Sequence, residues 1–179
     1  TLASLCLAML SKTLIYWFKY AVGDESASGL ALMIGPVVLI FCAPLWARYS
    51  VRTSKRQAWM LGSSITLIGC LGFFTLPMTN KIAIYTTLLF IGVGTSSFAI
   101  MFWSMLPDTV EYDRWISGEN HEAKVFGFAS FAQKSALGLN AFILGVLLDA
   151  VGFVPNVVQS DETLQGLKSI MSLIPALGA

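Results

Sequence analysis

Charge is scarce in this chain. Only 12% of its 179 residues are Asp, Glu, Lys or Arg, the formal net charge is +1, and the mean hydropathy is +0.73, which excludes an ordinary soluble domain. A nucleic-acid reader is excluded with it, because such a protein carries a basic stripe and here the basic residues sit in short loops or singly within apolar runs. Histidine occurs once, as His121, so a proton relay built on it has no second member. The three cysteines, Cys6, Cys42 and Cys70, fall in three separate apolar segments without the spacing of zinc ligands or of a disulfide framework, and read as small packing residues. No paired Ser and His, no HExxH and no glycine-rich phosphate loop appears, so neither an enzyme nor a bound cofactor is expected. The chain starts on Thr1, no signal peptide precedes the first apolar run, and the last run stops at Ala179, so a piece of something longer is expected.

What is abundant is apolar length. A hydrocarbon core about 30 Å thick needs roughly 20 apolar residues per helix, and spans are predicted at 2–22, 27–47, 58–77, 82–106 and 123–149, with an incomplete sixth at 163–179. Backbone groups in lipid must be satisfied internally, so the spans are helices and the fold class is all-α. Polar or turn-rich stretches separate them: "GDESASG", "RYSVRTSKRQ", "MTNK", the acidic "MLPDTVEYDRW" and "GFVPNVVQSDE". Arg48, Arg52, Lys55 and Arg56 fill the second of these, and Arg114 with Lys124 flanks the fourth, while the alternate loops hold almost no positive charge. Positive residues favour the cytoplasmic side, which places both basic loops, and both ends of the six-helix unit, inside. Small residues at helix-contact spacing (Gly62, Gly69, Gly72, Gly92, Gly94, Ala132, Ala136, Ala141, Gly145) indicate a bundle. Pro36, Pro44 and Pro77 either kink helices that move or are plain structure.

A few polar groups occupy costly positions. Lys134 lies near the middle of the fifth span, where a lysine facing lipid costs on the order of 3 kcal/mol, so it faces a cavity or an acidic partner. Ser130, Gln133, Lys134 and Asn140 fall within an arc of roughly 120° on a helix, which reads as the polar lining of a solute pathway with donors and acceptors suited to sugar hydroxyls. In the first span Lys12, Tyr16, Lys19 and Tyr20 share an arc of about 100°, and tyrosine rings stack on the C–H faces of sugars. Lys19 and Tyr20 fit equally an interfacial belt, as Trp103 does near the end of the fourth span.

These stretches together resemble a known family. "LPDTVEYDRWISG", "FAQK", "IYWFKYAVGD" and "GFVPNVVQS", in that family's order along its chain, are similar to segments of the glycoside–pentoside–hexuronide:cation symporters of the major facilitator superfamily. The resemblance implies the carboxy-terminal six-helix half of a twelve-helix transporter of the bacterial inner membrane, whose partners are a sugar, a coupling cation (Na⁺, Li⁺ or H⁺) and the amino-terminal half that carries the cation carboxylates. It also implies that Lys134, with Gln133, Ser130 and Asn140, lies near the sugar, and that Tyr16 and Tyr20 take the aromatic positions of the seventh helix. The loop "PLWARYSVRTSKR" is only loosely similar to the superfamily's basic loop motif, since the aspartate of that motif is absent.

Asp108 and Glu111, three residues apart at the inner mouth, together with Arg114, are then expected to form a salt-bridge latch with basic residues of the other half, or else a solvated acidic loop. The alternative to symport is a membrane module that binds or senses sugar without moving it.

Overall fold

Helix starts in this chain are marked by short polar side chains that take up the first unpaired backbone N–H groups. A computed structural model describes residues 2–24, 26–75 and 80–178, apart from the side chains of residues 2–4, 6 and 7, so Cys6 and Pro77 lie outside the described residues. Six helices follow in order: α1 (Leu2–Trp17), α2 (Ser26–Arg52), α3 (Lys55–Thr75), α4 (Lys81–Ser117), α5 (Glu122–Ala150) and α6 (Asp161–Gly178). Asp24 Oδ1 accepts the Ala27 N–H at 3.2 Å before α2, Ser54 Oγ that of Gln57 at 3.1 Å in α3, and Asn80 Oδ1 that of Ala83 at 3.1 Å in α4. Asn120 and Ser160 do the same for α5 and α6.

The predicted spans all recur as helices, with corrected ends. The 16 residues of α1 run on without a break into a π-helix of five, Phe18–Val22, which closes on Gly23 in the left-handed conformation at φ 71°. The second span continues to Arg52. The larger correction concerns "MLPDTVEYDRW", which is not a loop: α4 has 37 residues and passes through Pro107 and all of the acidic stretch to Ser117, where Gly118 caps it. Such a helix is about 55 Å long, some 25 Å more than a hydrocarbon core, so its last turns stand in water. A proline there removes one N–H only, and the helix past it is supported by Thr109 Oγ1 bonding the Met105 carbonyl at 3.0 Å. By length and composition α2, α3, α4 and α5 can each cross a membrane; α1 reaches 20 residues only with its π-helix, and α6 opens on Asp161 and Glu162.

Packing holds the helices in a bundle. α3 and α4 meet through glycine: a Cβ on Gly94 would sit 2.6 Å from the Gly62 carbonyl oxygen, and one on Gly62 would run into the Ser97 side chain. Thr66 and Ser97, buried in this seam, bond the Gly62 and Gly94 carbonyls of their own helices at 2.9 and 2.8 Å. The indole of Trp46 in α2 donates to Val93 O and Ser96 Oγ of α4. A core of Trp17, Phe18, Phe73, Ile84, Leu88, Leu167 and Met171 joins α1, α3, α4 and α6, and a smaller cluster of Met9, Leu144 and Ile170 joins α1, α5 and α6.

The two ends of the bundle are tied differently. At the end carrying Arg48, Arg52 and Arg56, Lys55 of α3 pairs with Asp108 of α4 at 2.6 Å. At the opposite end Asp24 pairs with Lys81 at 2.7 Å, and Tyr85 Oη donates to the Ala27 carbonyl at 3.2 Å.

Candidate functional site

On α5, the expected polar stripe divides into a packed edge and an open edge. Ala129, Ala136, Asn140 and Leu144 are buried, and Asn140 and Leu144 mark where this edge meets α1 and α6. Asn140 is completely buried and its Nδ2 donates to the Leu5 carbonyl of α1 at 2.8 Å, so its amide ties two helices instead of lining an open surface. This corrects its expected place beside Lys134. At 100° per residue the four positions span an arc of roughly 120°, wide enough for one margin to lie in a helix seam while the other stays open. Gln133 and Ser130 are half-buried between the margins, and Lys134 is exposed at the open one.

No carboxylate pairs with Lys134 among the described residues. The sequence explains why: none of the ten acids lies in 1–23, 26–107 or 123–148. Pairing with an acid on a neighbouring helix of this chain is therefore not how Lys134 is accommodated.

Tyr16 and Tyr20 both pack edge-on against one ring. Phe153, just past α5, lies 5.2 Å from each, at interplanar angles of 71° and 82°. Tyr20 Oη also accepts the Asn156 N–H at 2.9 Å, and Lys19 Nζ lies 5.5 Å from the Tyr20 ring. The loop that presents Phe153 is closed on itself by Gln159, whose amide donates to the Val154 and Val157 carbonyls. Phe153 and Gln159 were not singled out by sequence reasoning; the only signal was the turn chemistry of "GFVPNVVQS", where Asn156 adopts φ 61°.

At the basic end, Asp108, Glu111 and Arg114 share one side of the α4 extension. Asp108 is engaged within the chain, contrary to the expected pairing with another half: Lys55 Nζ reaches both its carboxylate oxygens at 2.7 and 2.6 Å and the Ser104 carbonyl at 2.8 Å. Glu111 and Arg114 line a crevice of about 230 Å³ with Pro107, Val110, Asn120, Glu122 and Phe126. His121 is not isolated, as its lone place in the sequence suggested; its ring nitrogens lie 2.7 Å from Asp113 and 2.9 Å from Glu119.

A further cleft of about 130 Å³ opens between α1, α2 and α4, lined by Leu10, Ser11, Leu14, Pro36, Gly92 and Thr95 among others. Pro36 has no N–H to give the Leu32 carbonyl, which leaves a backbone acceptor beside this cleft.

The family model described as MFS/sugar transport protein matches residues 1–179, the entire chain. The chain belongs to this family. Its helices are accordingly those of a polytopic membrane transporter, and the family is one of carriers, not enzymes. Similar relatives include the uncharacterized symporter YjmB of Bacillus subtilis (strain 168), 29% identical over 93% of this chain and 36% of its own length. The isoprimeverose transporter of Lactiplantibacillus pentosus is 26% identical over 94% and 35%, and the glucuronide carrier protein homolog of Escherichia coli (strain K12) 22% over 92% and 36%. The chain thus spans about a third of the length of these family members.

Proposed function

We propose that the polypeptide containing this segment is a secondary active transporter that moves a sugar together with a cation by alternating access. The observation that carries this reading is Lys134: an exposed ammonium, near the middle of an otherwise apolar helix, with no acid of its own chain beside it. A lysine so placed is tolerated in lipid only when it faces a water-filled cavity or a partner. Ser130 and Gln133 beside it offer hydroxyl and amide groups for sugar hydroxyls, and Tyr16 and Tyr20 add an aromatic wall around Phe153 nearer the opposite end. Asn140 supports the site from behind by fixing α5 to α1.

In this fold, transport is rocking of two six-helix halves about a midplane site. The second half is the partner that would cover the open face of α5, and the cation, Na⁺, Li⁺ or H⁺, would be held there, since none of this chain's acids lies in 1–23, 26–107 or 123–148. Asp108, Glu111 and Arg114 form the inner gate, with Lys55 holding Asp108 on one side. The positive charge of the basic loops favours the cytoplasmic side for this gate, with both ends of the six-helix unit inside, and the membrane we propose is a bacterial inner membrane. The names of the relatives, which include an isoprimeverose transporter and a glucuronide carrier homolog, agree with a glycoside, pentoside or hexuronide as solute.

The test is uptake of a labelled α-galactoside, β-xyloside and glucuronide into energised vesicles holding the intact polypeptide, with Na⁺ present or absent at two pH values. Accumulation of one solute that collapses without its cation is expected. Saturable binding without accumulation would mean a sensing module instead. Lys134→Ala is expected to weaken solute binding while leaving the protein folded; unchanged binding would remove Lys134 from the site.

A further inference from the structure

We infer that the groove between α2 and α3 at the basic end is a binding site for an anionic phospholipid, with one acyl chain lying in the groove and the phosphate meeting Arg48 and Arg52. The two helices both pack on α4 and touch each other little, so a trough of about 290 Å³ stays open between them. Leu45, Trp46 and Tyr49 of α2 and Leu61 and Ile65 of α3 form its walls, with Val93 of α4 as its floor. The lining is almost wholly apolar, because the one indole N–H that could break it is turned inward, donating to Val93 O at 3.1 Å and Ser96 Oγ at 2.9 Å. That anchorage fixes the Trp46 ring, and Tyr49 packs edge-on against it with ring centroids 6.1 Å apart. The walls of the trough are therefore held in place by α4 and by each other before any chain enters.

Along its length the trough passes from apolar to charged. From Cys42 to Tyr49 it runs about 10 Å beside α2, and Arg52 follows one turn later, near the end of the helix. At 100° per residue Arg52 and Arg48 lie about 70° and 110° from the middle of the stripe that faces the trough, both on the side of exposed Leu45 and away from buried Trp46. Both arginines are exposed, and neither pairs with an acid among the described residues, whereas Lys55 is already held by Asp108. Arg56 takes no part, since it lies about 160° from the Leu61 and Ile65 side of α3. Apolar wall, amphipathic tyrosine and guanidinium thus succeed one another in the order of acyl chain, interface and phosphate within one leaflet. An acyl chain gains little from an apolar wall in lipid, where its neighbours are as apolar; the trough sets where the molecule lies, and the arginines set which headgroup stays. Guanidinium groups meet phosphate through paired charge-assisted hydrogen bonds, and basic pockets between membrane helices retain anionic headgroups on this account. A protein covering the trough would have to bring its own acids to Arg48 and Arg52, whereas one anionic lipid carries both the chain and the charge.

Photo-crosslinking tests this on the full polypeptide in bilayer nanodiscs. Phosphatidylglycerol and phosphatidylcholine carrying the same photoreactive acyl chain are each added as minor components of an unlabelled phosphatidylcholine bilayer, and the cross-links are mapped to peptides. Phosphatidylglycerol is expected to label 42–49 and 61–65 with an apparent affinity at least about tenfold above that of phosphatidylcholine, because each arginine near the headgroup contributes about a fivefold preference. Arg52→Gln should lower the preference about fivefold, Arg48→Gln together with Arg52→Gln should abolish it, and Arg52→Lys should keep part of it. Leu61→Trp fills the trough from a partly exposed position and leaves both arginines in place; it should remove the labelling while circular dichroism shows an unchanged helix content. Excess glycerol 1-phosphate should not compete, and competition by it would overturn the lipid assignment in favour of a soluble phosphate ester. Equal labelling by the two lipids, labelling spread evenly over the other exposed faces of α2, or labelling unchanged in Leu61→Trp would overturn the inference by showing an ordinary lipid annulus. No labelling at 42–49 and 61–65 would overturn it as well, by showing that protein covers the trough.

Discussion

Two polar residues six positions apart on one helix serve opposite ends here, and only packing separates them. Lys134 and Asn140 fall on the same broad stripe, yet one is exposed and the other has no accessible surface at all. The sequence made both legible as costly groups in an apolar run, but it held no sign that the Leu5 carbonyl, 135 residues away, would claim one of them. Asn140→Ala should therefore cost stability, about 1 kcal/mol for an interhelical hydrogen bond in a membrane bundle, and leave the solute KM unchanged. Thermal unfolding in detergent beside an uptake assay measures both; a raised KM at unaltered stability would return Asn140 to the solute surface. Phe153 was hidden for a similar reason, because an aromatic after a helix end says nothing about which ring it will meet until the loop is closed by Gln159.

At the scale of elements, the existence of six helices was legible and their ends were not. Long apolar runs with polar breaks specify spans directly, since lipid permits only helix. The water-exposed extensions of α2 and α4 carry no hydropathy signal, and they persist through capping and local side-chain bonds that read as loop chemistry in the sequence. The glycines were read as contact points, and the structure separates those that are from those that are not. Gly94→Ala should drive a methyl into the Gly62 carbonyl and cost about 1–3 kcal/mol, the range for overpacking. Gly145→Ala, with nothing within 4 Å, should stay within about 0.5 kcal/mol. Differential scanning of the purified protein distinguishes them, and equal effects would refute the α3–α4 seam.

The tie between the α1–α2 and α3–α4 connections has a pH signature. The Asp24 carboxyl is drawn from 3.8 down to about 2, chiefly by the Lys81 ammonium, then by the Ser26 hydroxyl and the Ala27 N–H. Folding thus favours its ionised form, and the stabilisation is whole above pH 3.8 and fades as pH falls toward 2. The Tm difference between the native protein and Asp24→Asn should be constant from neutral pH down to about 4 and shrink below it; a difference that persisted at the acid end would mean that the carboxylate charge is not what holds this end together.

Across the whole molecule, the notable arrangement is the segregation of charge. Acids gather at the ends, where Asp24, Asp108 and Asp113 find Lys81, Lys55 and His121, while Lys12, Lys19 and Lys134 pair with no acid among the described residues. Net charge conceals this, because +1 overall is the sum of a nearly balanced basic-loop end, an acidic opposite end and a positive middle. A fixed charge inside a membrane also lies in its electric field, which is worth about 2.3 kcal/mol per charge per 100 mV across the full thickness. In the rocking proposed above, Lys12 and Lys134 would shift along that field. Moved through a tenth of it, each would change the balance between inward- and outward-facing forms by about 0.2 kcal/mol at 100 mV. A solute that neutralised Lys134 would cancel that residue's share. The empty and the loaded carrier would then answer to membrane voltage differently, and the return stroke, not the delivery stroke, would be the one the cell's potential drives or resists.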